Sequence, residues 1–208
     1  MTALMHSRTA IFALTLLIAG CSGAIRQPTY YSLALAPQVD SVRDPLPHPV
    51  TVAVMPFESP AYLRQGRIVY RERPDEIGFY EYHRWATDPG SMVTTAVVRS
   101  LQSDRLLSYV GPLDNPDRAE YLVTGRLERL DEIDFGDGVT VEATVSAELI
   151  NLRTGLVEWA GHATHASRVD HREVYSVVSQ MSQAVDSCLD QLVSSIAQSV
   201  NGRDSAAR

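Results

Sequence analysis

The most distinctive chemistry in this sequence belongs to the thiol of Cys21. An apolar run, residues 11–19, precedes this cysteine, and the two residues directly before it, Ala19 and Gly20, are small. Small residues give a signal peptidase access to the bond between Gly20 and Cys21. A thiol is also the common side chain that is nucleophilic enough to take a diacylglycerol group as a stable thioether. The spacing therefore predicts cleavage after Gly20 and attachment of lipid to Cys21.

Residues 17–21, Leu-Ile-Ala-Gly-Cys, resemble the lipobox of bacterial lipoproteins. The alternatives are an ordinary secretory signal, a transmembrane helix and a buried N-terminal helix. The apolar run has about nine residues, whereas a membrane-spanning helix needs about 20. An ordinary signal favours small residues at positions −3 and −1, and Ile18 occupies position −3. We therefore predict a signal peptide over residues 1–20 and a lipidated tether, carrying palmitate-type chains, over residues 21–28.

The other reactive side chains form no recognised catalytic or metal-binding arrangement. His162 and His165 are three residues apart on a predicted strand, so they point to opposite faces and do not readily share a metal ion. Cys188 lies among apolar helix positions and is expected to be a small buried hydrophobe. A charge run near a turn, expected to be solvated surface, contains Glu128, Asp131, Glu132 and Asp134. We predict no catalytic residue, no metal site, no cofactor beyond the covalent lipid, and no enzyme activity.

Length and charge restrict the class of protein further. The 208 residues include 25 acidic and 18 basic side chains, for a net charge of −7. Loss of residues 1–20, whose one charged residue is Arg8, leaves −8, and nucleic-acid binders normally carry a basic excess. We therefore predict no nucleic-acid partner. The 188 residues from Cys21 onward suit one domain, predicted over residues 29–201, followed by a polar tail over residues 202–208.

Periodicity and capping signals predict an α+β fold. Residues 139–149 alternate apolar and polar side chains, as in an antiparallel strand that is wet on one side. Asp88-Pro89 predicts the start of a helix that runs to about Leu106, and residues 171–200 predict a long amphipathic helix. We expect a mainly antiparallel sheet of six or seven strands with both helices on one face. Other extended segments are predicted at residues 29–36, 50–57, 67–72, 77–85, 107–110, 121–127 and 156–164.

One strand segment, residues 79–85, is unusually aromatic: Phe-Tyr-Glu-Tyr-His-Arg-Trp. Strict alternation would place Tyr80, Tyr82 and Arg84 on one face and His83 on the other. Tyr and Arg are enriched at the energetic centres of protein interfaces. The rings either cap the sheet beneath the first helix or form a partner interface, and Tyr80, Tyr82 and Arg84 are the candidate interface residues in the second case.

A series of short motifs matches a known family. In chain order they are the lipobox, Tyr31-Ser32-Leu33, Pro56-Phe57, Tyr62-Leu63, Ile68-Val69-Tyr70, the segment Glu81 to Trp85, and the Gly-rich hairpin with its alternating strand at residues 136–151. The chain thereby resembles the ABC-type transport auxiliary lipoproteins over about Thr29 to Ala197. The segment from Tyr62 to Trp85 carries the most specific part of the resemblance.

The resemblance implies a non-catalytic lipoprotein on the periplasmic face of the outer membrane. Members of the family accompany mammalian-cell-entry (MCE) type lipid transport systems. The implied partners are a periplasmic MCE-domain protein with its inner-membrane ABC permease and ATPase, and the membrane itself through the lipid anchor. Ser22 follows Cys21, in place of the Asp that retains many enteric lipoproteins at the inner membrane, and this favours the outer membrane.

Two points are left open by the sequence. A structural or regulatory envelope lipoprotein, acting in cell-wall synthesis or in assembly of an outer-membrane complex, is the alternative function. A homo-oligomer is the alternative to a monomer.

Overall fold

The computed structural model describes residues 26–36, 50–103, 107–112 and 119–206. Within these ranges the chain forms an eight-stranded sheet, two α-helices and a short 3-10 helix at Leu63–Gln65. In chain order the elements are β1 (Thr29–Tyr31), β2 (Val50–Val54), β3 (Arg67–Arg71), β4 (Gly78–Trp85), α1 (Pro89–Ser103), β5 (Leu107–Pro112), β6 (Tyr121–Ile133), β7 (Thr140–Asn151), β8 (Val157–Arg168) and α2 (Val174–Ala206).

The sheet is mixed, so the prediction of a mainly antiparallel sheet with six or seven strands is wrong, whereas the α+β class is confirmed. Strands β6, β7 and β8 are antiparallel neighbours, as are β3 and β4. Strand β2 is parallel to both β5 and β6, β1 is parallel to β4, and β3 is parallel to β6. Parallel neighbours need a long crossover connection, and α1 lies in the one between β2 and β5.

The long strand β6 holds the sheet together. Its whole length pairs with β7 on one side. On its other side, β2 pairs with residues 121–123 and β3 pairs with residues 132–133. Two smaller groups of strands, β2 with β5 and β3 with β4 and β1, are therefore attached end to end along one edge of β6. Strand β8 forms the opposite edge of the sheet.

Strand β7 alternates as its sequence predicts. Val141, Ala143, Val145, Ala147 and Leu149 are buried, and the residues that alternate with them are partly or fully exposed. The buried side chains face the helices, since the thiol of Cys188 in α2 contacts the carbonyl oxygen of Ala143 at 3.6 Å. The other face of β6, β7 and β8 is polar.

Both helices pack on this buried face and contact each other. Asp88 caps α1 as predicted, because its Oδ2 accepts a hydrogen bond from the Ser91 amide at 2.9 Å. Helix α1 ends at Ser103, within the described residues. Helix α2 begins at Val174, three residues later than predicted, and continues to Ala206, into the segment predicted as a polar tail.

The N-terminal segment is shorter as a strand than predicted. Only Thr29–Tyr31 pair with β4, and residues 32–36 then cross over the two helices. The Leu33 amide lies 3.3 Å from Sδ of Met92 in α1, and the Ala34 amide donates to Oγ of Ser182 in α2 at 3.1 Å. Leu33 is buried between them. The segment therefore joins the first strand of the sheet to the helical layer.

Candidate functional site

The aromatic strand β4 does not alternate as predicted. In the pairing of β3 with β4, Arg67 lies opposite Arg84, and Val69 lies opposite Phe79. One residue of β3 thus faces four residues of β4, so β4 carries a wide bulge over residues 80–83. A bulge re-aims side chains and breaks the period of two. The assignment of Tyr80 and His83 to opposite faces is wrong for this reason.

The bulge brings four aromatic side chains together on the helix-facing side. The rings of Tyr80 and His83 meet edge to face with centroids 5.6 Å apart, and Tyr70 meets Tyr80 in the same way at 5.3 Å. Tyr31 of β1 lies 5.6 Å from the His83 ring, and its hydroxyl is 3.0 Å from Nδ1 of His83. Such aromatic pairs add stability beyond the area they bury. Three of the first four strands are therefore joined by one row of partly buried rings.

A buried carboxylate lies at the end of this row. The Tyr80 hydroxyl donates to Oε2 of Glu132 at 2.7 Å, and Glu132 is only 4% exposed. Burial raises the pKa of Glu132 above its ordinary value, with a further rise from Asp134 and an opposing effect of the Tyr80 hydrogen bond. Burial, and then Glu132 itself, raises the pKa of Tyr80. The hydroxyl of Tyr80 is thus already engaged inside the domain.

An ion-pair network occupies the other face of the sheet, on β3, β6 and β7. Nε of Arg71 lies 2.5 Å from Oδ2 of Asp131, whose side chain is fully buried. Arg129 lies 3.7 Å from the same oxygen and 2.5 Å from Oε1 of Glu142. The Arg71 guanidinium also lies 5.9 Å from the centre of the Tyr62 ring. Burial, and then Asp131, raises the pKa of the Tyr62 hydroxyl.

The prediction that the charge run is solvated is therefore wrong for Asp131 and Glu132. Strand β6 extends to Ile133, six residues beyond its predicted end, so both carboxylates lie within the sheet on opposite faces. Glu128 is exposed, as predicted. The period of two in β6 is interrupted by one extra residue, at the register shift between Leu127 and Arg129, and it resumes at Leu130 and Glu132. This resumed alternation was a signal in the sequence for the longer strand.

The other predicted side chains lie as follows. His162 and His165 are exposed, as predicted for solvated histidines. Cys188 is 1% exposed, and burial raises the pKa of its thiol to about 11, so the prediction of a buried small hydrophobe is confirmed. Among the described residues, no three His, Cys, Asp or Glu side chains are grouped so that they could hold a metal ion. Gly20 and Cys21 lie outside the described residues.

Tyr82 and Arg84 differ from Tyr80, the third predicted interface residue. Among the described residues, no hydrogen bond joins the Tyr82 hydroxyl or the Arg84 guanidinium to a buried side chain, whereas the Tyr80 hydroxyl donates to Glu132. Arg26, the first described residue, places its guanidinium 5.0 Å from the centre of the Tyr82 ring. Nε of Arg84 is buried without a hydrogen-bond partner among the described residues. Whether Tyr80, Tyr82 and Arg84 bind a partner protein stays a prediction.

No helix in the described part of the chain combines the length and apolar character needed to cross a bilayer. The described residues form an α+β domain with a row of partly buried aromatic rings and two buried carboxylates, Asp131 and Glu132, each of which has its own partner. The profile of the family described as the ABC-type transport auxiliary lipoprotein component matches residues 31–197. Because this match covers most of the sequence, the chain belongs to that family.

Solved structures share the fold. A Xanthomonas campestris protein, XCC0632, assigned to the family DUF330, is similar with a TM-score of 0.68 and 19% identity, over 86% of this chain and 100% of its own. An uncharacterised protein has a TM-score of 0.63 and 16% identity, covering 82% and 99% of the two chains. The hypothetical protein CT253 of Chlamydia trachomatis reaches 0.51 with 10% identity, covering 74% and 98%. No curated protein matches the sequence.

Proposed function

We propose that this protein is a non-catalytic lipoprotein that is anchored to the outer membrane through Cys21 and assists an MCE-type ABC lipid transport system. The observation that carries the proposal is the family match over residues 31–197, which lies downstream of a lipobox that ends at Cys21. Ser22 after the lipidated residue supports outer-membrane sorting. In this proposal the direct partner is the periplasmic MCE-domain protein, which links the lipoprotein to the permease and ATPase of the inner membrane.

Lipid anchoring has a direct test with a matched control. The chain has two cysteines, and Cys188 is buried in the core. We expect Cys21→Ala to abolish palmitate labelling and release the protein from the outer-membrane fraction, because only a thiol accepts the lipid. Cys188→Ala should keep both the label and the fractionation. Normal labelling of Cys21→Ala would contradict the lipobox.

The transport role is tested by the identity of the partner. Chemical crosslinking of intact cells, followed by purification of the wild-type lipoprotein, should recover the MCE-domain protein together with its permease and ATPase. Recovery of cell-wall synthases or of an outer-membrane assembly complex in their place would support the structural or regulatory alternative. The Cys21→Ala form should recover less of the MCE protein, because it no longer concentrates at the membrane.

A further inference from the structure

We propose that the edge of the sheet formed by β1 and β4 lies against the membrane surface, where Tyr30, Tyr82 and three arginines contact phospholipid headgroups. This inference rests on the proposed lipid anchor at Cys21. It assigns a bilayer, and not a partner protein, to the surface that carries Tyr82 and Arg84. The surface, called the β1–β4 edge below, consists of Arg26, Tyr30, Tyr82 and Arg84, together with Arg67 of the neighbouring strand β3, which lies opposite Arg84.

The first argument is the point at which the chain enters the domain. Arg26 lies over the ring of Tyr82, and Thr29–Tyr31 then pair in register with residues 83–85. The described chain therefore begins beside β4. Strand β8, at the opposite edge of the sheet, is separated from β1 by four strands, β4, β3, β6 and β7.

The second argument is the length of the tether. Five residue steps separate Cys21 from Arg26, and even a fully extended chain spans at most about 18 Å over five steps. A compact domain of this size has a radius of gyration of about 15 Å, which corresponds to a diameter of about 40 Å. The tether is therefore too short to reach around the domain. A lipidated Cys21 at the bilayer surface holds the β1–β4 edge close to the headgroups.

The third argument is the charge of the edge. Arg84 pairs in register with Tyr30 on one side and with Arg67 on the other, so these three side chains point to the same face of the sheet. Tyr31 packs on the core, so its neighbour Tyr30 points away from the helices. Arg67, Arg84 and Arg26 therefore give the edge three arginines, and Glu81 is the one acidic residue of β3 and β4. Such local positive charge contrasts with the net charge of −7 for the whole chain.

The fourth argument is the match between these side chains and headgroup chemistry. Tyr30 is 61% exposed. Tyrosine has an apolar ring and a polar tip, and it is enriched where membranes meet water. The planar guanidinium of arginine binds phosphate oxygens in pairs. Tyrosines and arginines on one short edge suit a phospholipid surface.

The test compares two labelled positions in the full lipidated chain. Cys188 is buried, so a fluorophore attaches selectively to a cysteine introduced at an exposed position. Tyr30→Cys places the label on the β1–β4 edge, and Leu156→Cys places it in the turn between β7 and β8, where Leu156 is 65% exposed. Both side chains are exposed, so neither change disturbs the core. The proteins are reconstituted into vesicles of phosphatidylethanolamine and phosphatidylglycerol that contain a headgroup-labelled nitroxide lipid.

We expect the nitroxide to quench the label at position 30 several-fold more strongly than the label at position 156. Replacing Arg67 and Arg84 with Gln should reduce quenching at position 30, provided that the melting temperature is retained. Equal quenching at both positions, or stronger quenching at position 156, would overturn the orientation.

Two further outcomes separate this inference from the proposed function. If the wild-type chain does not float with vesicles, the anchor at Cys21 fails and the orientation fails with it. If the chain floats but position 30 is not quenched, the orientation alone is wrong. A third outcome would assign the edge to the partner protein instead. In that case position 30 is not quenched, and a Tyr82→Ala, Arg84→Ala double variant keeps its melting temperature but no longer recovers the MCE protein.

Discussion

The buried pair of Arg71 and Asp131 gives the sharpest prediction about stability. Asp131 is fully buried, and 11% of the Arg71 side chain is exposed. Arg71→Met removes the cation and leaves a carboxylate with a desolvation cost that is no longer offset. Breaking a buried pair in this way typically costs about 3–5 kcal/mol. Because Arg129 remains 3.7 Å from the same carboxylate, we expect the lower end, about 3 kcal/mol.

The expected change is measurable by thermal unfolding. In a domain of this size, 1 kcal/mol shifts the melting temperature by about 2–4 °C, so Arg71→Met should lower it by about 6–12 °C. Arg73→Met is the matched control in the same part of the chain. Arg73 and its partner Glu76 are 72% and 51% exposed, and an exposed ion pair contributes little to stability because water and salt screen it. The control should therefore melt close to the wild type.

A double variant separates the charge from the packing. Arg71→Met together with Asp131→Leu removes both members of the pair, so no uncompensated ion is left in the sheet. We expect most of the lost stability to return, since apolar replacement of a whole buried pair is often neutral. Equal melting temperatures for Arg71→Met and Arg73→Met would refute the reasoning. So would a double variant that is less stable than Arg71→Met alone.

Two further variants test the core and the buried glutamate. Val185 is fully buried in α2, so Val185→Asp should lower the free energy of unfolding by more than about 4 kcal/mol and unfold the domain. Gln183→Asp, at an exposed position of the same helix, should change stability little. Similar urea midpoints for the two variants would contradict the helix register. The raised pKa of Glu132 means that the folded state binds its proton more tightly than the unfolded state, so the stability of the wild type should fall as pH rises above about 4.5, the ordinary pKa of the group. Glu132→Gln removes this loss. The free energy of unfolding of Glu132→Gln in urea, relative to that of the wild type, should therefore increase from pH 4.5 to neutral pH. A constant difference across that range would show that desolvation of Glu132 is not the cause.

Local features of this fold could be predicted from the sequence because local physics determines them. The alternation of β7 follows from one dry and one wet face, and the start of α1 follows from the hydrogen bond between Asp88 and Ser91. The burial of Cys188 follows from its place on the apolar stripe of α2. Each of these features involves residues that are close in sequence or share one period.

Strand partners could not be predicted in the same way. Residues 50–54 indicate a strand, but nothing in them specifies parallel pairing with residues 107–112 and 121–123, which are more than 50 positions away. The bulge in β4 also depends on the partner, because it forms where five residues of β3 must match eight residues of β4. The contact between Tyr80 and His83 is a product of that bulge and contradicts simple alternation.

The buried carboxylates illustrate a different limit. A charge run predicts solvated surface unless each charge has a partner, and the partners of Asp131 and Glu132 are Arg71 and Tyr80, more than 50 positions earlier. These partners become neighbours only when β3 and β4 attach to the end of β6. The predicted interface residues were chosen for their residue types and for an assumed shared strand face. Neither property shows which of these side chains form hydrogen bonds inside the domain.

The short parallel pairing of β1 with β4 has a mechanical consequence. A pull on the N-terminus loads the strand along its own axis, so the hydrogen bonds that cross from residues 29–31 to residues 83–85 carry the force together, in shear. Behind them, the amides of Leu33 and Ala34 pass the remaining tension to both helices at once. Drag on the domain is thus shared between the sheet and the helical layer. Rupture under load is a matter of the unfolding rate, and such sharing slows it.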